Sequence, residues 1–105
     1  MSKRLEALQK MIAANAAPDM SFARYALAME FKSLGRLDES LAAFDHLKSI
    51  DESYVAQYLM AGNVAEALGK KDVARGWYEQ GVEKARAKGD THTLSELQTA
   101  LTALG

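Results

Sequence analysis

The fold is decided by Tyr25–Tyr58, the stretch YALAMEFKSLGRLDESLAAFDHLKSIDESYVAQY, because it partly repeats further along the chain. A shift of about 34 residues, the distance from Leu34 to Leu68, brings similar residues together. The matching pairs are Leu34-Gly35 with Leu68-Gly69, Ala28 with Gly62, Phe44 with Tyr78, Asp38 with Asp72, and Ser40 with Ala74. A fixed period of this length is typical of solenoids, whose repeats bury their apolar faces only by stacking on one another.

Composition limits the class of protein. The 105 residues include 13 basic and 14 acidic side chains, for a net charge of -1, and 49% are hydrophobic. These values indicate one globular domain, 1–105, and argue against a nucleic-acid partner held by phosphate neutralisation. The absence of cysteine excludes disulfides and thiolate metal sites and fits a reducing, cytoplasmic location. No apolar run is long enough to predict a membrane span, so no membrane association is expected.

Apolar residues recur at spacings of three and four, which predicts helices and no strands. The predicted helices are 2–15, 20–34, 37–50, about 54–68, 71–88, and a last one that begins at Asp90 or Thr91. Gly35, Gly69 and Gly89 are each expected to end a helix, because glycine accepts the left-handed conformation that helix ends often need. Helix caps are expected from Asp19 for the second helix and from Asp51 or Ser53 for the fourth.

The repeated unit resembles the tetratricopeptide repeat, a helix-turn-helix of about 34 residues with the pattern W-x2-L-G-x2-Y, A-x3-F and a final P. In repeat 21–54 these slots hold Arg24, Leu27, Ala28, Phe31, Ser40, Phe44 and Glu52. In repeat 55–88 they hold Tyr58, Ala61, Gly62, Ala65, Ala74, Tyr78 and Arg86. Arg24 and Ala65 depart from the aromatic residues of the family, and neither repeat has the proline. The resemblance rests on two copies in one register.

The resemblance extends to both ends of the chain. Residues 1–20 look like the second half of a repeat, and residues 89–105 look like the capping helix that follows the last repeat in such arrays. The small residues Ala28 and Gly62 are expected to let helices approach closely, with Phe44 and Tyr78 filling the space beside them. The resemblance implies an all-α, right-handed α-solenoid of about six antiparallel helices.

A peptide-binding groove is the function that the resemblance implies. In this family the first helix of each repeat lines a concave groove for a peptide or partner protein. The residues at these positions are Phe22, Tyr25, Met29, Lys32, Leu59, Met60, Asn63 and Glu66, with Ser33, Ala56 and Thr93 beside them. Tyr25 and Met60 would offer apolar contacts, and Asn63 a hydrogen-bond donor to peptide backbone. Some family members hold terminal carboxylates with lysine, asparagine and arginine here, and the residues of this chain argue against that specialisation.

Two alternatives stand beside the groove. In the first, Phe22, Met29 and Leu59 belong to the core and the other positions are unused surface. In the second, the chain is a self-association module and forms a homodimer through the groove or the terminal helix, because the half-repeat at 1–20 leaves an apolar face unpaired. Trp77, next to Tyr78, is expected to pack against the last helix or to serve as an exposed interface anchor.

The sequence contains no set of residues that suggests catalysis, a metal or a cofactor. His46 and His92 lie on different predicted helices, without the paired spacing that a metal site needs. Serines and threonines cluster at helix starts, where capping explains them. No nucleophile stands with a base, and no pair of carboxylates is placed for acid–base work. A non-catalytic module is therefore predicted.

Overall fold

The computed structural model describes residues 2–105, in which six α-helices are joined by short turns and no strand is present. The helices are α1 (Lys3–Ala13), α2 (Met20–Ser33), α3 (Leu37–Ile50), α4 (Ala56–Ala67), α5 (Lys71–Lys88) and α6 (Thr91–Leu104). The all-α class is confirmed, and each helix lies within about two residues of its predicted limits.

The chain divides into two compact units. The first runs to Glu52 and contains α1–α3, and the second, Ser53–Gly105, contains α4–α6. The division falls next to the predicted boundary between repeats 21–54 and 55–88. The assignment of 1–105 to one domain stays a prediction. Within residues 2–105, no helix has both the length and the apolar character that crossing a bilayer requires.

Four helices end with the same backbone geometry. After α2, Gly35 has a φ of 74°, and the N–H of Arg36 donates back to a carbonyl of the helix at 2.9 Å. Gly69 and Gly89 do the same after α4 and α5, with φ of 75° and 70°. Asn15 takes this place after α1, with a φ of 52°. These left-handed residues satisfy carbonyls that the helix leaves unpaired, and all three predicted glycine ends are confirmed.

Side chains cap three of the helix starts. Ser2, Asp19 and Asp90 each accept a hydrogen bond from the backbone N–H three residues further on, at 3.1, 3.0 and 3.1 Å. Each bond satisfies one of the donors that the first turn of a helix leaves free. The prediction for Asp19 is confirmed, and Asp90 rather than Thr91 is the cap of α6.

The start of α4 differs from the prediction, because neither Asp51 nor Ser53 caps it. The Asp51 carboxylate accepts a hydrogen bond from the Ser21 hydroxyl at 2.7 Å instead, which ties the end of α3 to the start of α2. The first turn of α4 is closed by a backbone bond from the N–H of Gln57 to the carbonyl of Tyr54, at 3.2 Å. The Asp51 side chain thus links two helices of the first unit.

In the first unit, α2 contacts both α1 and α3. Ala28 is fully buried, and the Ser40 hydroxyl donates to the Ala28 carbonyl at 2.7 Å. Phe44 is also fully buried. Its ring contacts the ring of Tyr25 edge to face, with 6.1 Å between the ring centroids. Ala28 and Phe44, the predicted small residue and aromatic ring, thus both lie in the core of the first unit.

In the second unit, α5 contacts α4 and α6 at two glycines. A Cβ atom placed on Gly62 would lie only 2.6 Å from Cδ1 of Tyr78. A Cβ atom on Gly81 would lie 2.6 Å from Cβ of Tyr58 and 2.9 Å from Cδ2 of Leu97. All three distances are well below a normal carbon–carbon contact of about 3.5–4 Å. The predicted role of Gly62 is confirmed, and Gly81 is a second close approach that the sequence pattern did not reveal.

Candidate peptide-binding surfaces

The predicted positions on α2 share one face of the helix, because they are spaced at three and four residues. Phe22 is 56% exposed, whereas Tyr25, Met29 and Lys32 are half-buried. Burial raises the pKa of the Tyr25 phenol, so this side chain stays uncharged at neutral pH. Phe22 and Met29 are therefore not fully buried core residues, and the face is a mixed apolar and polar surface.

A hollow of about 270 Å³ lies where α1 meets the start of α2. Its lining is almost entirely apolar and comprises Leu8, Met11, Ala17, Pro18, Asp19, Phe22 and Ala23. Met11, which aligns with the buried Phe44 of the next repeat, is 37% exposed. Among the described elements, α1 contacts only α2. Part of the apolar face of α1 is therefore open.

The predicted positions on α4 lie in the second unit. Leu59, Met60 and Asn63 are half-buried, and Glu66 is exposed. Leu59 lines a hollow of about 370 Å³ that it shares with residues of α6. Met60 is adjacent to Leu59 in sequence but does not line this hollow.

Helix α6 supplies most of the lining that the prediction missed. The hollow beside Leu59 is completed by His92, Ser95, Glu96, Thr99, Ala100 and Ala103. A second hollow, of about 290 Å³, is lined by Glu66, Gly69, Lys71, Ala103 and Leu104. Ala103 lines both, so the two hollows are neighbours. We call this pair of hollows the α4–α6 groove and define it by Leu59, Glu66, Glu96, Thr99, Ala100 and Ala103.

A signal for the α6 residues was present in the sequence. A shift of about 70 residues aligns Leu94 and Leu97 of the capping helix with Arg24 and Leu27 of the first repeat. The same shift carries the α2 positions 22, 25, 29, 32 and 33 onto 92, 95, 99, 102 and 103, all of which line hollows on α6. Thr93, the α6 residue named from the sequence, is half-buried and lines none of these hollows.

The hydroxyl of Tyr78 connects two of the predicted α4 residues. It donates to a carboxylate oxygen of Glu66, and it lies 2.7 Å from the amide oxygen of Asn63. A phenol has one hydrogen to donate, and the charged carboxylate is the stronger acceptor. Burial, together with the Glu66 carboxylate, raises the pKa of Tyr78, so the phenol stays protonated and holds Glu66 in place.

The structure shows how exposed Trp77 and the two histidines are. Trp77 is only 4% exposed and packs on Tyr58, with 5.8 Å between ring centroids, so an exposed anchor role for it is wrong. His46 and His92 are exposed. Across residues 2–105, no three histidine, aspartate or glutamate side chains come together in a way that could hold a metal ion.

Solved structures identify the family of the chain. The solution structure of a tetratricopeptide repeat domain protein from Salinibacter ruber is 39% identical, covers 84% of this chain and 89% of its own, and has a TM-score of 0.79. The chain belongs to the tetratricopeptide repeat family. A crystal structure of a tetratricopeptide repeat domain protein from Salinibacter ruber agrees, at 39% identity over 80% of this chain and 94% of that chain, with a TM-score of 0.76.

Two further structures share the tetratricopeptide repeat fold. A protein from Bordetella parapertussis is 25% identical over 99% of this chain and 89% of its own, with a TM-score of 0.83. The type III secretion translocator chaperone SycD from Yersinia enterocolitica is 18% identical over 90% of this chain and 81% of its own, with a TM-score of 0.59. At that identity the likeness to SycD concerns the fold alone. No protein-family model and no curated protein matches the sequence.

Proposed function

We propose that this tetratricopeptide repeat chain is a non-catalytic interaction module that binds a segment of a partner protein on α4 and α6 of its second unit. The observation that carries the proposal is the α4–α6 groove, two neighbouring hollows lined by exposed and half-buried residues of mixed character. Its floor of Leu59, Ala100 and Ala103 offers apolar contact, and the Thr99 hydroxyl can donate to and accept from a peptide backbone.

The positions predicted from the sequence belong to the same proposal. Phe22, Tyr25, Met29 and Lys32 would form a contact surface of the first unit, and Leu59, Met60, Asn63 and Glu66 would form one of the second. Half-buried apolar side chains next to polar groups give both contact area and directional bonds. Met29 and Met60 can adapt to different side chains of a ligand because methionine is flexible.

The test is to select peptides that bind the chain from a random library and to titrate the best one into isotopically labelled protein. We expect the largest chemical-shift changes at Leu59, Thr99 and Ala103. Ala103→Gln places a longer side chain in the groove and should weaken binding on the order of tenfold. Ala87→Gln, an equally exposed change on α5 outside the groove, is the matched control and should leave the affinity unchanged.

The proposal fails if the selected peptides shift residues elsewhere and are insensitive to Ala103→Gln. It also fails if no peptide is selected and the chain is a dimer at every concentration.

The second candidate is self-association through the apolar hollow between α1 and α2. The exposure of Phe22, at 56%, and of Met11, at 37%, supports it, because isolated soluble chains rarely leave such side chains clustered. Light scattering over a dilution series measures the mass directly. A mass of two chains that falls to one in a Met11→Ser, Phe22→Ser variant supports this candidate, and a constant mass of one chain rules it out.

A further inference from the structure

The two helices that line the α4–α6 groove carry acidic charge only, if histidine is counted as neutral. Helix α4 contains Glu66 and helix α6 contains Glu96, and neither contains a lysine or an arginine. Every lysine and arginine of the second unit lies between residues 70 and 88, on α5 or just before it. The net charge of the groove helices is therefore negative, although the whole chain is close to neutral.

From this charge distribution, and resting on the proposed function, we propose that the groove takes a short basic segment of a partner protein. Lysine or arginine side chains of the segment would pair with Glu66 and Glu96. An acidic segment is disfavoured because it would meet two carboxylates of like charge.

The spacing of the two carboxylates sets the length of the segment. On α4, Leu59 lies seven residues before Glu66, and on α6, Glu96 lies seven residues before Ala103. Glu96 lines the same hollow as Leu59, and Ala103 lines the same hollow as Glu66. Seven residues of α-helix rise about 10 Å, so a ligand that reaches both carboxylates must span a distance of that order. An extended peptide covers this distance in about three residues. Basic side chains three or four residues apart therefore fit, with small apolar residues between them over Leu59 and Ala100.

Other groups that face these carboxylates leave room for a ligand. The Tyr78 hydroxyl occupies one oxygen of Glu66 and holds the carboxylate in one orientation. The second oxygen remains as an acceptor. Lys71 lines the hollow beside Glu66 and would compete with a basic ligand there. At the other end, Nε2 of His92 lies 3.3 Å from Oε1 of Glu96.

The experiment titrates labelled chain with three synthetic peptides that differ only at two positions: acetyl-GSKAVKSG-amide, acetyl-GSQAVQSG-amide and acetyl-GSEAVESG-amide. We expect the lysine peptide to bind at least about fivefold more tightly than the glutamine peptide, and the glutamate peptide to bind most weakly, because exposed ion pairs each contribute modestly. The shift changes should map to Leu59, Glu66, Glu96 and Thr99. Raising the salt from about 0.05 to 0.5 M should remove most of the preference.

Substitutions in the chain separate the groove from general electrostatic attraction. The double variant Glu66→Gln, Glu96→Gln should abolish the preference for lysine. The control variant Glu79→Gln, Glu83→Gln removes the same charge from exposed positions on α5 and should preserve that preference. Lys71→Gln should tighten binding of the lysine peptide by about two- to threefold, because it removes a competing cation.

The outcomes distinguish this inference from the proposed function. Equal binding of the lysine and glutamine peptides in the groove overturns the preference for basic segments but supports a peptide-binding groove. Equal loss of the preference in both double variants also overturns the inference, since the attraction would then be non-specific. If no peptide shifts the groove residues, the inference fails, and the proposed function is judged separately by the peptides selected from the random library.

Discussion

The close approach at Gly81 makes a quantitative prediction, because α5 contains a matched glycine at Gly76. Both residues lie inside the same helix, and alanine is favoured over glycine there by about 1 kcal/mol. At Gly76 a Cβ atom would meet no neighbouring atom within 4 Å. Gly76→Ala should therefore raise the free energy of unfolding by about 0.5–1 kcal/mol.

At Gly81 the same methyl group has no space. It would lie 2.6 Å from Cβ of Tyr58 and 2.9 Å from a methyl carbon of Leu97, so it overlaps the first by about 1 Å. The Tyr58 Cβ is fixed to the backbone of α4 and cannot rotate away. Overpacking of this kind costs about 1–3 kcal/mol. Because the helix-propensity gain is common to both sites, the two alanine variants should differ by the overpacking cost, about 1–3 kcal/mol.

Thermal and urea unfolding followed by circular dichroism measure this difference. For a chain of this size, 1 kcal/mol corresponds to about 5 °C in Tm, so the two variants should differ by about 5–15 °C. Gly62→Ala should behave like Gly81→Ala, because the added methyl would enter the Tyr78 ring. If Gly81→Ala stabilises the chain as much as Gly76→Ala does, then α4 and α6 do not approach α5 as closely as the structure indicates, and the reasoning is refuted.

Two further predictions concern pH. The Tyr78 pKa is raised, so the folded chain holds this proton more tightly than the unfolded chain; the resulting stability is present below about pH 10 and is lost as the pH rises further. Tyr78→Phe should lower the free energy of unfolding by about 1–2 kcal/mol at neutral pH, and in urea titrations its stability should depend less on alkaline pH. An unchanged alkaline profile would contradict the assignment. The Asp90 pKa is lowered, first by its hydrogen bonds to Thr93, so its contribution is present above about pH 4 and is lost as the pH falls through the folded-state pKa. Asp90→Asn keeps an oxygen for the cap and should flatten the acid side of the Tm–pH curve, whereas an identical curve for both proteins would show that the cap does not depend on charge.

The features that the sequence predicted well are those that depend on local geometry. Gly35, Gly69 and Gly89 stand where apolar periodicity stops, and a left-handed residue at a helix end is a local requirement. The pairing of Gly62 with Tyr78 was also predictable, because a glycine and an aromatic residue recur at the same positions as Ala28 and Phe44. The repeat therefore supplied both the secondary structure and one set of tertiary contacts.

The features that were missed depend on contacts that no local pattern records. Asp51 is as suitable for capping α4 as Asp19 is for α2, but it bonds to the Ser21 hydroxyl, a residue far away in sequence. Tyr78 was assigned to the core from its ring, while the hydroxyl that holds Glu66 depends on where α4 lies against α5. The α6 residues that line the groove were predictable in principle. The prediction would have required the alignment of the first repeat to be extended to α6, although α6 is not followed by a second helix of its own repeat.

The two repeats differ at one pair of positions, which includes the departure Arg24 from the family pattern. Tyr58 fills the first aromatic slot of the second repeat, and its neighbour on α5 is Gly81. The corresponding residues one period earlier are Arg24 and Leu47, and Leu47 is fully buried. A bulky ring on the first helix thus goes with a glycine on the second, and a flexible arginine goes with a buried leucine. The volumes of the residues at these two positions of the repeat balance each other. A comparison with the family pattern at one position alone therefore underestimates how well the sequence fits the fold. The same balance explains why Gly81, in a helix interior where glycine is otherwise unfavourable, belongs to the packing of this repeat.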